Sequence, residues 1–317
     1  MVNQYNKLIK FHGDGGNLFS VYIVNMILTI LTLGLYYPWA RAALLRYTYQ
    51  ETEFAGSRFT FHGTGNEMFM GMLKGIGIFA SLYFIVYLAA LSQNFVFAIL
   101  AVLLFYVGLI AIIPIAIHGA MRYRMSRTSW RGIHFSYQGK LGELMSEFFA
   151  GITLSILTLG IYNSWRIIYL RSYVIDKIRF GNLQFSYVGN GADFFFINLK
   201  GYFLTMFTLG IYYFWWMKDS FDYYVNNIQI MQGDKVITFR SDMSGSKYLS
   251  LMLVNVLMLV FTLGIASPWV TVRTLRYVFS CINIDDELNP DTIEQDLESY
   301  ETMKNNDMAD ILDIGIA

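Results

Sequence analysis

Hydrophobic and polar positions divide the chain into two kinds of apolar stretch separated by short alternating segments. Gly75–Leu91 and Phe95–Ile117 carry no charge, and only Ser92-Gln93-Asn94 separates them. At about 1.5 Å per residue each reaches across roughly 30 Å of hydrocarbon, so together they predict a tight transmembrane hairpin. Four shorter runs, Leu18–Leu33, Phe148–Leu159, Phe194–Leu209 and Tyr248–Leu263, fall below the roughly 20 residues of a confident span. Between them lie IKFHGDG from Ile9, FTFHGTG from Phe59, HFSYQGK from His134, QFSYVGN from Gln184 and the degenerate VITFRSD from Val236. Alternating aromatic or β-branched residues closed by glycine predict short strands ending in a turn.

The short runs share a punctuation. Thr-Leu-Gly recurs at Thr32, Thr158, Thr208 and Thr262; a tryptophan follows each at Trp39, Trp165, Trp215 and Trp269; a tyrosine follows at Tyr47, Tyr173, Tyr223 and Tyr277. The long hairpin keeps the frame, because Pro114 precedes Arg122-Tyr123 as Pro38 precedes Arg46-Tyr47 and Pro268 precedes Arg276-Tyr277. Fixed spacing of this kind signals internal repetition. Five repeats begin near residues 11, 61, 135, 185 and 239. The predicted fold class is an all-α polytopic membrane protein of about five helical hairpins, joined by strand-like FxFxG segments. If each repeat is a hairpin, the strand segments share one side and the uncharged turns near Gly34, Gln93, Gly160, Gly210 and Gly264 share the other. Arginines in the second arms oppose full insertion, so those arms either cross or lie along the interface with Trp39 and Tyr47 among the headgroups.

Composition supports the membrane reading. Apolar residues make up 55% of the 317 residues and charged ones 15%, against about 25% charge in soluble domains. The balanced charge hides a division: from Asp285 onward eleven acids face one base, Lys304, and the preceding body carries a net +10. A basic repeat-built membrane domain over 1–284 and an acidic, flexible tail over 285–317 follow, with both termini expected in the cytoplasm. Met1–Gly16 has no apolar core and does not read as a targeting peptide. The single cysteine, Cys281, excludes an intramolecular disulfide.

FxFxG, a hydrophobic run, TLGIYxxW and a basic Arg-Tyr helix together resemble the YjgN-like family of bacterial inner-membrane proteins of unknown function, over residues 11 to about 284. Repeat two departs in lacking TLG and tryptophan, and repeat four in replacing the arginines with Lys218, Asp219 and Asp222. The resemblance implies a multi-pass inner-membrane location and no reaction.

Chemistry is sparse. His12 and His62 share the Phe-His-Gly slot, which reads more simply as a polar turn than as a metal or proton site. Gly13–Gly16 and Gly189–Gly191 lack the spacing and lysine of a phosphate loop. No catalytic, cofactor-binding or metal-binding residue is assigned, no cofactor is expected, and nucleic acid is not an expected partner. The bilayer is, with anionic lipids as candidates for the basic stretch Arg122–Arg131. Lys200, the one charge well inside a short run, and Arg46, Arg122, Arg171 and Arg276 are the candidates for a polar path or lipid contact, with Asp193 as a possible partner of Lys200. Trp39, Trp165, Trp215 and Trp269 are candidate interface anchors. Asn25, Gly151, Gly201 and Asn255 share one place in the frame and predict a helix–helix seam. The expected function is a non-enzymatic membrane scaffold or envelope factor; the alternative is a transporter or channel for a small or anionic solute.

Overall fold

A computed structural model describes residues 5–285, 287–296 and 301. Five units follow one another, each a strand, two antiparallel helices and a second strand. They are β2 (Ile9–Phe11), α1 (Gly15–Leu31), α2 (Tyr37–Gln50), β3 (Thr52–Phe54); β4 (Ser57–Phe61), α3 (Gly65–Leu91), α4 (Phe95–Ser126), β5 (Thr128–Trp130); β6 (Ile133–Tyr137), α5 (Leu141–Leu157), α6 (Asn163–Asp176), β7 (Ile178–Phe180); β8 (Leu183–Tyr187), α7 (Gly191–Phe207), α8 (Tyr213–Asn226), β9 (Ile228–Gln232); and β10 (Lys235–Ser241), α9 (Gly245–Phe261), α10 (Ser267–Ser280), β11 (Ile282–Asp285). A short strand, β1 (Tyr5–Asn6), precedes them.

The strands form one eleven-stranded antiparallel sheet in the order β1-β11-β10-β9-β8-β7-β6-β5-β4-β3-β2. Its two edge strands, β1 and β2, are separated only by Lys7 and Leu8, so the sheet is a nearly closed barrel. The helices close with it: α1 packs on α10, α10 on β2, and the Phe11 and Phe279 rings lie 6.0 Å apart. Inside the barrel Phe54, Trp130, Phe180, Leu183, Ile230, Ile237 and Ile284 form the core. The indole of Trp130 donates to the carbonyls of Phe54 and Ser57, both at 3.0 Å, so the largest core ring leaves no orphan donor.

The all-α expectation is therefore wrong: the fold is α+β. Each later unit's first strand, β4, β6, β8 or β10, pairs on one side with the second strand of the preceding unit, while β2 is a sheet edge. Those second strands are three to five residues long, three in Thr52–Phe54, Thr128–Trp130 and Ile178–Phe180, and a single residue separates each from the helix before it. So short a stretch shows no alternation, and in sequence it merges with the helix before it. Only α3 and α4, among the described residues, are long and apolar enough to cross a membrane.

The acidic segment begins inside this structure. Leu288 and Ile293 join the barrel core. Arg131 donates to Asp291 at 2.7 Å, Gln295 accepts from the His134 amide at 2.7 Å, and the Glu294 carbonyl accepts from Asn182 at 2.9 Å. Gly181 has φ +53°, and a Cβ there would lie 2.2 Å from the Glu294 oxygen, so only glycine admits this crossing. The rest of the expected tail, 297–300 and 302–317, lies outside the described residues.

Candidate membrane interface and polar sites

The hairpin tips show what Thr-Leu-Gly does. Thr32 caps α1; its hydroxyl donates to the Leu28 carbonyl at 2.8 Å and accepts the Tyr36 amide at 2.9 Å. Leu33 takes a left-handed φ of 51°, Gly34 follows at 93°, and the Gly34 amide donates back to Thr29 at 2.8 Å. Every amide from residue 32 to 37 thus finds a partner within the turn. Thr158, Thr208 and Thr262 repeat the arrangement, each hydroxyl accepting the amide four residues on, at 3.0, 2.9 and 3.0 Å. A turn whose amides need no water is suited to hydrocarbon, where an unpaired one costs several kcal/mol. At its apex Leu33, Leu159 and Leu209 are 95% exposed and Leu263 93%. Four such leucines facing water would be costly; facing lipid they are at home.

Depth separates these tips from the fifth. Unit two spends residues 65–126 on its hairpin, 62 in all, against 36 in each other unit, as in 15–50. The excess of about 13 residues per arm adds roughly 20 Å. Its turn differs at the second helix: the Asn94 carboxamide caps α4 by accepting from the Phe97 amide at 3.1 Å, whereas α2, α6, α8 and α10 have no side-chain cap.

At the sheet end of each hairpin the tyrosine locks its own unit. Tyr47 accepts from the Asp14 amide and donates to the Asp14 carbonyl, both at 2.8 Å. Tyr173 pairs in the same way with Lys140, Tyr223 with Asn190 and Tyr277 with Ser244. Tyr123 donates to the Thr64 carbonyl at 3.1 Å. Each tyrosine thereby pins the entry to the first helix against the last turn of the second.

The tryptophans join neighbouring units. Trp39, Trp165 and Trp215 lie against Gly65, Gly191 and Gly245, the first residues of the next unit's helix, and Trp269 closes the ring against Gly15. A Cβ at any of these glycines would come within 2.5 Å of indole atoms. The Trp39 indole also donates to Asn66 at 3.1 Å. Asn25, Gly151, Gly201 and Asn255 lie on the first helix of each hairpin; Gly151 faces Arg166, Gly201 faces Trp216, and Asn255 donates to Thr274 at 3.0 Å, all on the second helix of the same unit.

The candidate polar residues do not converge on one place. Arg46 donates to the Gly63 carbonyl at 3.2 Å and Arg276 to the Gly13 carbonyl at 2.8 Å, each tying its unit to the next strand-end turn. Arg171 lies 3.6 Å from the centre of the Tyr224 ring in unit four, a cation–π contact. Arg122 has partners of its own. Lys200 pairs with Asp219 at 3.5 Å rather than with Asp193, and Lys218 bridges Asp219 at 3.3 Å and Asp222 at 2.8 Å. Lys200 and Asp219 are 19 residues apart, a separation only the hairpin brings together. In the basic stretch, Arg127 pairs with Glu67 at 2.9 Å, and Arg131 pairs with Asp291 and lies 4.4 Å from the Trp130 ring centre.

His12 and His62 directly follow β2 and β4, His134 stands on β6, and His118 lies on α4. His12 meets Glu53 at 2.8 Å, His62 meets the Ser129 hydroxyl at 2.8 Å, and the His62 and His134 rings lie 5.9 Å apart. Burial, and then the nearness of His62, hold the His134 imidazole below its ordinary pKa. Among the described residues no three His, Cys, Asp or Glu side chains are placed to share a metal ion. Sequence reasoning named the tip threonines as a recurring mark and Asp219 as a departure of repeat four, but it gave the threonines no capping role and did not pair Asp219 with Lys200.

These features define a class: a nearly closed α+β ring with a self-satisfied apolar rim. Over residues 6–188 and 216–310 the sequence matches the family described as bacterial protein of unknown function (DUF898), and the chain belongs to it. It is similar to the inner membrane protein YjgN of Salmonella typhimurium strain LT2, 32% identical over 165 residues, 50% of this chain and 38% of the relative. The YjgN proteins of Escherichia coli O157:H7 and K12 are 33% and 34% identical over 147 and 148 residues, 46% of this chain and 35% of each relative. The matched region spans under two fifths of these relatives' length. The YjgN-like resemblance read from the repeat motifs is thereby established. No solved structure matches the chain.

Proposed function

We propose that this is a non-enzymatic scaffold of the bacterial inner membrane that occupies the two leaflets unequally. In this reading the barrel lies at the cytoplasmic face, α3 and α4 cross the bilayer, and the other four hairpins stop inside the near leaflet. The five units are internal repeats of one design, lengthened in the second. The observation that carries the reading is the tip: four fully exposed leucines on turns whose amides are satisfied without water. Absence of charge at the tips and an excess of basic residues elsewhere in the body support the cytoplasmic placement of the sheet. The partner is the bilayer itself, with anionic headgroups beside the basic end of α4.

Unequal occupancy has a mechanical consequence. With helices about 10 Å across, ten in one leaflet displace roughly 800 Å² of lipid and two in the other roughly 160 Å². The inserted body is a wedge, wide toward the cytoplasm. Reconstituting the full chain at rising density into phosphatidylethanolamine–phosphatidylglycerol vesicles and imaging them in vitreous ice tests this. Vesicle radius is expected to change with density; radii equal to those of protein-free vesicles at every density would end the scaffold reading.

Transport of a small or anionic solute is the second reading, motivated by the Lys200–Asp219–Lys218–Asp222 network. Arg46 and Arg276 are committed to backbone carbonyls, which favours the scaffold. Solute flux above that of empty vesicles, lost in Lys200→Met, would reverse the order.

A further inference from the structure

We infer that the cleft between units three, four and five holds one acyl chain of a membrane phospholipid together with its ester group. The inference rests on the insertion of the short hairpins proposed above, because that insertion places the cleft at bilayer depth. The cleft encloses about 740 Å³, within the range of small-ligand sites. It reaches from Gly160 and Ile161 at the tip of unit three to Met243 at the strand end of unit five. None of its lining residues is charged, so a phosphate or ammonium has no partner inside and stays outside at the headgroup level.

A polar centre interrupts the apolar wall. Asn198 donates to the Ser164 hydroxyl at 3.3 Å and accepts the Trp216 indole at 3.1 Å. Ser220 also lines the cleft and is only 7% exposed. The Ser220 hydroxyl is a donor in the cleft wall, and an ester carbonyl would accept from it. Apolar walls, no charge and a polar centre of Ser164, Asn198, Trp216 and Ser220 together select a neutral hydrogen-bonding group on a hydrocarbon chain.

Sequence accounts for the position of the cleft. Directly before the tyrosine, Arg46 and Arg276 tie units one and five to the glycine carbonyl of the next unit, whereas unit three carries Ser172 there. In unit four that residue is Asp222, which turns to Lys218 instead, and the receiving position in unit five is Met243, a lining residue. The seam between units four and five thus lacks the arginine tie, and the space it leaves belongs to the cleft.

The test uses the full chain, reconstituted into phosphatidylethanolamine–phosphatidylglycerol vesicles containing a trace of phosphatidylethanolamine with a diazirine in its acyl chain. After photolysis, adducts are mapped by peptide mass spectrometry, and lipid retained after detergent extraction is counted by native mass spectrometry. Expected are retained lipid on the wild-type chain and adducts concentrated on residues 195–221. Ser220→Phe, which fills the centre, should lower those adducts about tenfold and remove the retained lipid, while adducts on α3 and α4 stay unchanged. Leu199→Trp, at the exposed mouth, should act in the same direction with less risk to folding. Equal labelling of the cleft in wild type and both variants, or no retained lipid, overturns the inference. Adducts on the four hairpin tips report insertion separately: tips labelled with the cleft unlabelled refutes the cleft alone, and unlabelled tips refute the insertion beneath it.

Discussion

Replacing Thr158 by valine removes a hydroxyl and little else. In the native turn that hydroxyl donates to Leu154 at 2.8 Å and accepts the Tyr162 amide at 3.0 Å. The Leu154 carbonyl keeps a partner, because the Thr158 amide also reaches it at 3.0 Å. The Tyr162 amide loses its acceptor. If the tip stands in water, a solvent molecule replaces the hydroxyl and the loss is about 1 kcal/mol or less. If the tip stands in hydrocarbon, the amide remains unpaired, and the cost rises to roughly 2–5 kcal/mol. Valine is also slightly more apolar than threonine, which in lipid acts against the loss and sets the lower end of that range. Reversible unfolding in bicelles, followed by steric trapping at two labelled sites, reads the difference. Thr208→Val and Thr262→Val should fall in the same range, since their turns have the same bonds. Losses of about 1 kcal/mol or less in all three would refute the argument that these turns dispense with water.

Other expectations follow from the seams and the sheet. Arg276→Met removes the charged donor to Gly13 at the ring closure, and unfolding should show a loss of about 1.5–3 kcal/mol; a neutral result would mean that the closure does not depend on this tie. Gly191→Ala places a Cβ 2.3 Å from the Trp165 ring and 2.8 Å from its Cα, so a loss of about 1–3 kcal/mol is expected, partly relieved in Gly191→Ala/Trp165→Ala; additive losses would contradict contact between them. His134 has a lowered pKa in the folded chain, so the unfolded state binds more protons as the pH falls. The stability it contributes is present above about pH 6.5 and is lost as pH drops toward the lowered folded value. His134→Gln should flatten stability across that window, and an unchanged profile would refute the assignment.

Much of the unit was legible. Thr-Leu-Gly and the tryptophan in four units, and the tyrosine in all five, recur because each solves one geometric problem: ending a helix without water, filling a glycine notch in the next unit, and pinning the entry turn. Periodicity therefore disclosed the hairpins and their common polarity. It did not disclose the barrel, because strands such as Thr52–Phe54 are too short to carry an alternating pattern and their pairing partners are set by tertiary closure. The arginines were visible by spacing, yet their targets were not: Arg276 reaches Gly13, 263 positions earlier in the chain. Lys200 was singled out as an isolated charge, and its partner was missed because Asp219 comes near only when α7 and α8 fold together.

Depth of the hairpin tips decides the account. In a Cys281→Ser background, single cysteines at Leu33, Leu159, Leu209, Leu263 and Gln93 can be exposed to a membrane-impermeant maleimide, first from outside intact spheroplasts and then from the inner face of inverted vesicles. Labelling of Gln93→Cys from the outer face alone, with the four leucine positions silent from both faces, is the predicted result. Outer-face labelling at any of the four leucine positions would show a complete crossing, inner-face labelling would show a tip in the cytoplasm, and either would contradict the unequal wedge.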